Sequence, residues 1–131
     1  MQTIKHWRTF RGRPNNPIGV ETMRVSISPR GVIYLNSVAF ESLGKPKAVE
    51  LMFDEGRDVI GLKPCEAWQE NSFPFRDKTG ASGKIINASP FFVHYSIKAS
   101  RTFLVNKAHI DDEGVLTLPL DGITVVSRGS R

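Results

Sequence analysis

The chain has 131 residues, of which 40% are hydrophobic and 24% charged, and its formal net charge is +5 at pH 7. That length fits one domain with an ordinary hydrophobic core, and the composition argues against wholesale disorder. No apolar run approaches the ~20 residues that cross a bilayer, and the lone Cys65 excludes an intrachain disulfide and a thiolate metal cluster within one chain. We therefore expect a cytoplasmic protein that makes no membrane contact and needs no cofactor.

The positive charge is concentrated near the N-terminus. Five cations lie in the first 24 residues: Lys5, Arg8, Arg11, Arg13 and Arg24. Glu21 is the one carboxylate among them, so residues 1–24 carry a net charge of +4. We interpret residues 1–22 as a flexible basic arm whose cations follow phosphates while Trp7 and Phe10 stack or wedge. The alternatives are a solvated tail, or one whose two rings cover the core.

The first regular pattern is a hairpin. Val25 and Ile27 alternate with polar neighbours, which is the period of a half-buried strand. Residues 29–31, Pro-Arg-Gly, are typical of a turn, and the β-branched and aromatic run 32–35 predicts the returning strand.

A short helix follows this hairpin. Asn36 is a good N-cap, and Phe40 and Leu43 share one face of the predicted helix. Gly44 ends the helix and Pro46 prevents it from continuing.

A second hairpin is the clearest local prediction. Alternation over 48–53 and again over 58–63 predicts two strands, and the Asp-Glu-Gly-Arg stretch 54–57 predicts the turn between them. The pattern weakens after Pro64, and residues 77–84 are rich in turn formers, so we predict a connecting loop over 65–84. Its glycines and Lys84 do not form a phosphate-binding loop of the Walker type, because the spacing is too short and Ile85 follows the lysine.

The remaining chain predicts a second helix among four strands. Ser89 and Pro90 are a typical helix start, which places the helix over 91–97 with Ser89 as its cap. An acidic turn is predicted at 111–114, and Pro119 suggests that its strand lies at a sheet edge. The predicted strands are 85–88, 102–105, 115–120 and 123–126.

The elements together predict a strand-rich α+β fold: a small twisted sheet or a partly open barrel with two short helices. We expect a single domain over 23–131, with halves 23–64 and 85–127 joined by the loop 65–84. Each half carries a strand, a short helix and a hairpin with an acidic-plus-glycine turn, so the halves are candidates for related β-α-β-hairpin units. Their residues do not align well enough to establish a duplication.

Residues 25–63, with the Gly31 turn, the Leu43-Gly44 helix end and the closing hairpin, resemble the AbrB/MazE-type (SpoVT-AbrB) DNA-binding fold. The resemblance implies a dimer of interlocking hairpins that presents basic residues from its early loops and strands to DNA. The tandem arrangement of MraZ-like members is similar to the two halves described above. Here Arg30 precedes Gly31 where the family has Gly-Arg, and Asn36 stands where proline is common, so only Arg24 and Arg30 keep contact roles.

The leading hypothesis is therefore a DNA-binding protein, a homodimeric transcriptional regulator that contacts duplex DNA. Its expected contact residues are Arg24, Arg30, Lys5, Arg8, Arg11 and Arg13. The alternative is a protein-binding module, such as an antitoxin-like or assembly partner without nucleic-acid binding.

We do not expect an enzyme. His6, His94 and His109 lie far apart in sequence, with no metal-ligand spacing and no nucleophile motif. The run 111–113 lacks the alternating ligands of a Ca²⁺ loop, so we interpret it as a solvated turn.

Overall fold

The computed structural model describes residues 22–126. Two helices lie in this range, α1 (Ser37–Ser42) and α2 (Ser89–His94). The strands of the first part are β1 (Val25–Ile27), β2 (Val32–Leu35), β3 (Ala48–Asp54), β4 (Val59–Cys65), β5 (Ser72–Pro74) and β6 (Arg76–Asp77). Those of the second part are β7 (Lys84–Asn87), β8 (Phe103–Val105), β9 (His109–Ile110), β10 (Leu116–Pro119) and β11 (Ile123–Val125).

The strands form two antiparallel sheets. One has six strands in the order β11-β8-β1-β2-β7-β6, and the other has five in the order β5-β3-β4-β10-β9. This confirms the predicted strand-rich α+β fold with two short helices. Neither sheet closes into a barrel within residues 22–126.

Both predicted N-terminal hairpins are present. β1 and β2 pair through the turn at Gly31, whose N–H donates to the Ser28 carbonyl at 3.0 Å. β3 and β4 pair over their whole lengths, from Ala48 opposite Cys65 to Asp54 opposite Val59.

The core is formed by rows of aliphatic side chains that run across each sheet. In the six-stranded sheet Ile33 pairs with both Ile27 and Ile86, and all three are buried. In the five-stranded sheet Leu62 pairs with Leu51 on one side and Leu116 on the other. Residues of both sheets belong to one continuous hydrophobic cluster, so the two sheets share a single core.

The first helix is capped as predicted, and the second is not. Asn36 accepts a hydrogen bond from the Ala39 N–H at 2.9 Å, and Gly44 ends the helix at φ +97°. The prediction that Ser89 caps α2 is wrong, because the capping position is Ala88, whose side chain cannot form a hydrogen bond; the Ser89 N–H donates instead to Asn87 Oδ1 at 3.3 Å. Ala88 is fully buried, so this position faces the core and carries no polar group.

Two further segments differ from expectation. The stretch 65–84 holds β5 and β6, which pair with β3 and β7. The strand containing Pro119 lies between β4 and β9 rather than at a sheet edge. Its proline is tolerated because β9 pairs only with Leu116 and Thr117, which leaves Pro119 unpaired on that side. Residues 1–21 of the predicted arm lie outside the described residues.

Candidate nucleic-acid interface

The outer face of the six-stranded sheet carries an aromatic side chain at its centre. Tyr34 pairs with Ser26 on one side and Ile85 on the other, and Ile85 pairs with Arg76. Cross-strand partners share a face of a sheet, so these side chains form one row on the side opposite the buried Ile33. We call this surface, centred on Tyr34, the outer face.

Arg24 lies on the same face. It is exposed, it precedes β1, and it is in phase with Ser26 rather than with the buried Val25. Its backbone is held by Asn36, because the Arg24 N–H donates to Asn36 Oδ1 and the Asn36 N–H donates to the Arg24 carbonyl, both at 3.0 Å. This register places Arg24 diagonally beside Tyr34.

The ring of Tyr34 is held from two directions. Lys78 Nζ lies 6.0 Å from the ring centroid, in cation–π range. Gly83 lies against the ring: a Cβ atom on this glycine would come within 2.6 Å of two Tyr34 ring carbons. Because residue 83 has no side chain, the Tyr34 ring can pack directly against the start of β7.

The outer face is positively charged. Its described residues include no carboxylate: Arg24, Ser26, Ser28, Val32, Tyr34, Arg76, Lys78, Ile85, Asn87, Leu104 and Thr124. Asp77 is the nearest acidic residue along β6, but the alternation of the strand turns it the other way, where it pairs with Lys84. Arg24, Arg76 and Lys78 take part in none of the ion pairs formed within residues 22–126. Arg24, Arg76 and Lys78 thus lie on the same face as Tyr34, each without an ion pair among residues 22–126.

The other predicted contact residues lie elsewhere. Arg30 is exposed in the β1–β2 turn, at the opposite end of β1 from Arg24, so the fold does not bring the two arginines together. Lys5, Arg8, Arg11 and Arg13 lie outside the described residues.

Three members of the outer face were not predicted as site residues. Arg76 and Lys78 belong to the stretch interpreted as a loop, so no facing could be assigned to them. Tyr34 was recognised only as a strand residue. The pairing of β6 with β7 is what brings the cations to the ring, and no local sequence pattern indicates that pairing.

Comparisons of this chain with protein-family models, with curated proteins and with solved structures found no match. The resemblance to the AbrB/MazE-type fold therefore stays a prediction. Neither helix between residues 22 and 126 has the length and apolar character needed to cross a membrane.

The groups that would serve catalysis or metal binding are dispersed in the described part of the chain. No cluster of three or more His, Cys, Asp or Glu side chains able to hold a metal occurs within residues 22–126. Burial raises the pKa of the Cys65 thiol above its ordinary value, and the charges of Glu50 and Glu66 raise it further, with Lys63 opposing them. A thiol with a raised pKa stays protonated at neutral pH and is a poor nucleophile.

Proposed function

We propose that this protein binds nucleic acid, specifically duplex DNA, through the outer face of the six-stranded sheet. The observation that carries the proposal is that Arg24, Arg76 and Lys78 lie on the same face as Tyr34, with no carboxylate among the described residues of that face. Phosphates supply most of the affinity of such interfaces, and guanidinium and ammonium groups are their usual partners.

The resemblance extends this proposal to a homodimeric regulator of transcription. The geometry supports the role expected of Arg24 and adds Arg76 and Lys78 to it. Arg30, at the far end of β1, would reach DNA only by a separate contact. Base discrimination would come from Tyr34 and the neutral polar groups beside it, since phosphate contacts carry no sequence information.

The test is the salt dependence of DNA binding. We expect the anisotropy of a fluorescent duplex to report binding at low salt, with log K falling by roughly 0.9 per phosphate contact for each unit of log salt. The variant Arg24→Gln/Arg76→Gln/Lys78→Gln removes the three cations, so its slope should be shallower by about 2–3.

A matched control separates this face from overall charge. The variant Arg57→Gln/Lys63→Gln/Lys107→Gln also loses three positive charges, from exposed positions outside the outer face. It should bind DNA nearly as the unmodified chain does. Equal weakening by both variants would show that net charge alone attracts DNA, and an absence of binding at low salt would remove the proposal.

A second candidate function, binding of another protein chain, rests on the sheet edge at β11. Among the described strands β11 pairs only with β8, and its Ile123 and Val125 are 41% and 49% exposed. An open edge with exposed aliphatic side chains is a site for strand addition. Capture from a host lysate distinguishes the two functions, because a protein complex survives nuclease treatment and a nucleic-acid complex does not.

A further inference from the structure

A cleft lies between the β1–β2 turn and the segment that follows α2. Its volume is about 390 Å³, within the usual range for small-molecule sites. The apolar side chains that line it include Ile27, Phe92, Ile97 and Phe103. Ile27, Phe92 and Phe103 belong to the buried core, so this part of the lining is a fixed surface rather than a mobile one.

The rim of the cleft is basic. Arg30 and Lys98 both line it, and both are exposed. Neither takes part in an ion pair among residues 22–126, and no carboxylate lines this cleft. Lys98 also borders a neighbouring groove that contains Glu55 and Asp58, but it pairs with neither. Within residues 22–126, Arg30 and Lys98 therefore lie without an ion pair beside an apolar surface.

The turn that carries Arg30 is held firmly against α2. Gly31 has φ +82°, and a Cβ atom there would come within 2.8 Å of a Phe92 ring carbon. Its carbonyl accepts a hydrogen bond from the Ala88 N–H at 2.8 Å. The cleft is thus preformed, which lowers the entropic cost of filling it.

We propose that this cleft binds a small amphipathic anion: an apolar ring or acyl group against the Phe92 and Phe103 surface, with an acidic group between Arg30 and Lys98. This site includes neither Tyr34 nor any of the three cations of the outer face, although Arg30 is also an expected DNA contact.

The test uses two fluorescent probes that differ mainly in charge. 8-Anilinonaphthalene-1-sulfonate has an apolar ring system and a sulfonate, and N-phenyl-1-naphthylamine has the rings without the anion. We expect saturable binding of the sulfonate at one site per chain, with weaker binding of the neutral probe. The variants Arg30→Gln and Lys98→Gln should each weaken binding of the sulfonate probe by about fivefold, because each loses a charge-assisted contact. Binding of the neutral probe should change by less than about twofold, since its contacts are apolar.

The control is Lys63→Gln, which removes one exposed cation from β4 outside the cleft and should leave sulfonate binding unchanged. Near-UV circular dichroism should confirm a packed core, because anilinonaphthalene probes also bind loosened ones. Equal affinity for both probes, no effect of either cleft variant, or no saturable binding would overturn the proposal. Lys98→Gln should leave the DNA anisotropy unchanged, so the proposal for the cleft and the proposal for the outer face can be tested separately.

Discussion

The strand–helix units β2–α1 and β7–α2 end their helices with the same hydrogen-bond pattern but start them differently. The Gly44 N–H donates to the Glu41 carbonyl, and 52 residues later the Ser96 N–H donates to the Val93 carbonyl. The two helices start at different distances from the last buried residue before them: α1 begins two residues after Leu35, whereas α2 begins directly after Ala88. The second helix therefore begins one residue closer to the buried residue that precedes it.

This single residue decides how each helix can be capped. Asn36 follows the last inward-facing residue of β2, so its side chain is free to bond the helix start. Ala88 is itself inward-facing and fully buried, and a polar cap there would be placed in the core. The second helix relies instead on Pro90 in its first turn and on the burial of Phe91 and Phe92. The Asn87 side chain also accepts a hydrogen bond from the Ser89 N–H at 3.3 Å, so the start of α2 combines packing with a bond from the residue before its cap.

The largest expected effect comes from the glycine that precedes β7. Alanine at Gly83 would drive its Cβ into the Leu35 carbonyl and the Tyr34 ring, so the backbone of β2 or β7 must move. We expect Gly83→Ala to lower the free energy of unfolding by about 3 kcal/mol or more, measured by urea denaturation. A loss below 1 kcal/mol would show that the two strands are not closely packed there.

The corresponding glycine before β2 should come next. Gly31→Ala combines a positive φ with contact against Phe92 and the Ser89 backbone, and should cost about 2–3 kcal/mol. Gly114→Ala is a matched control, because its φ of +81° is almost the same and nothing lies within 4 Å of the added Cβ. It should cost about 1 kcal/mol. If the two variants lost the same free energy of unfolding, the cost at Gly31 would come from its backbone conformation and not from contact with Phe92.

The capping difference should give an intermediate effect. Asn36→Ala removes the bond to the Ala39 N–H and also those to Arg24 and Thr22, so we expect a loss of about 1–2 kcal/mol. Ser89→Ala should change stability by less than about 0.5 kcal/mol, because this serine makes no capping bond. Similar losses for both variants in thermal denaturation would contradict the difference between the two helix starts.

The smallest effects should come from the helix ends. Ser96 has φ +56° at the position that Gly44 occupies after α1. Ser96→Gly should raise stability by up to about 1 kcal/mol, and Gly44→Ala should lower it by a similar amount. A Ser96→Gly variant less stable than the parent would show that the serine side chain has a stabilising contact of its own.

The local patterns in the sequence predicted most strands, both helices and the fold class, because period-two alternation and the Asn36 and Gly44 signals act over a few residues. They did not predict which strands from distant parts of the chain would pair. Tyr34 was visible as a strand residue, but its neighbours Arg76 and Lys78 come from a turn-rich stretch without alternation. Ser89 failed as a cap because strand register, rather than residue type, decides which position opens α2.

Asn36 also has a consequence for the segment that precedes β1. Its amide Nδ2 donates to the Thr22 carbonyl at 2.8 Å. This bond fixes the backbone at the point where residues 1–21 join the described fold, beside Arg24. Whatever conformation those residues adopt, they are tethered next to the surface around Tyr34. A ligand held on that surface would meet Lys5, Arg8, Arg11 and Arg13 at a far higher effective concentration than it would meet a free peptide of the same sequence.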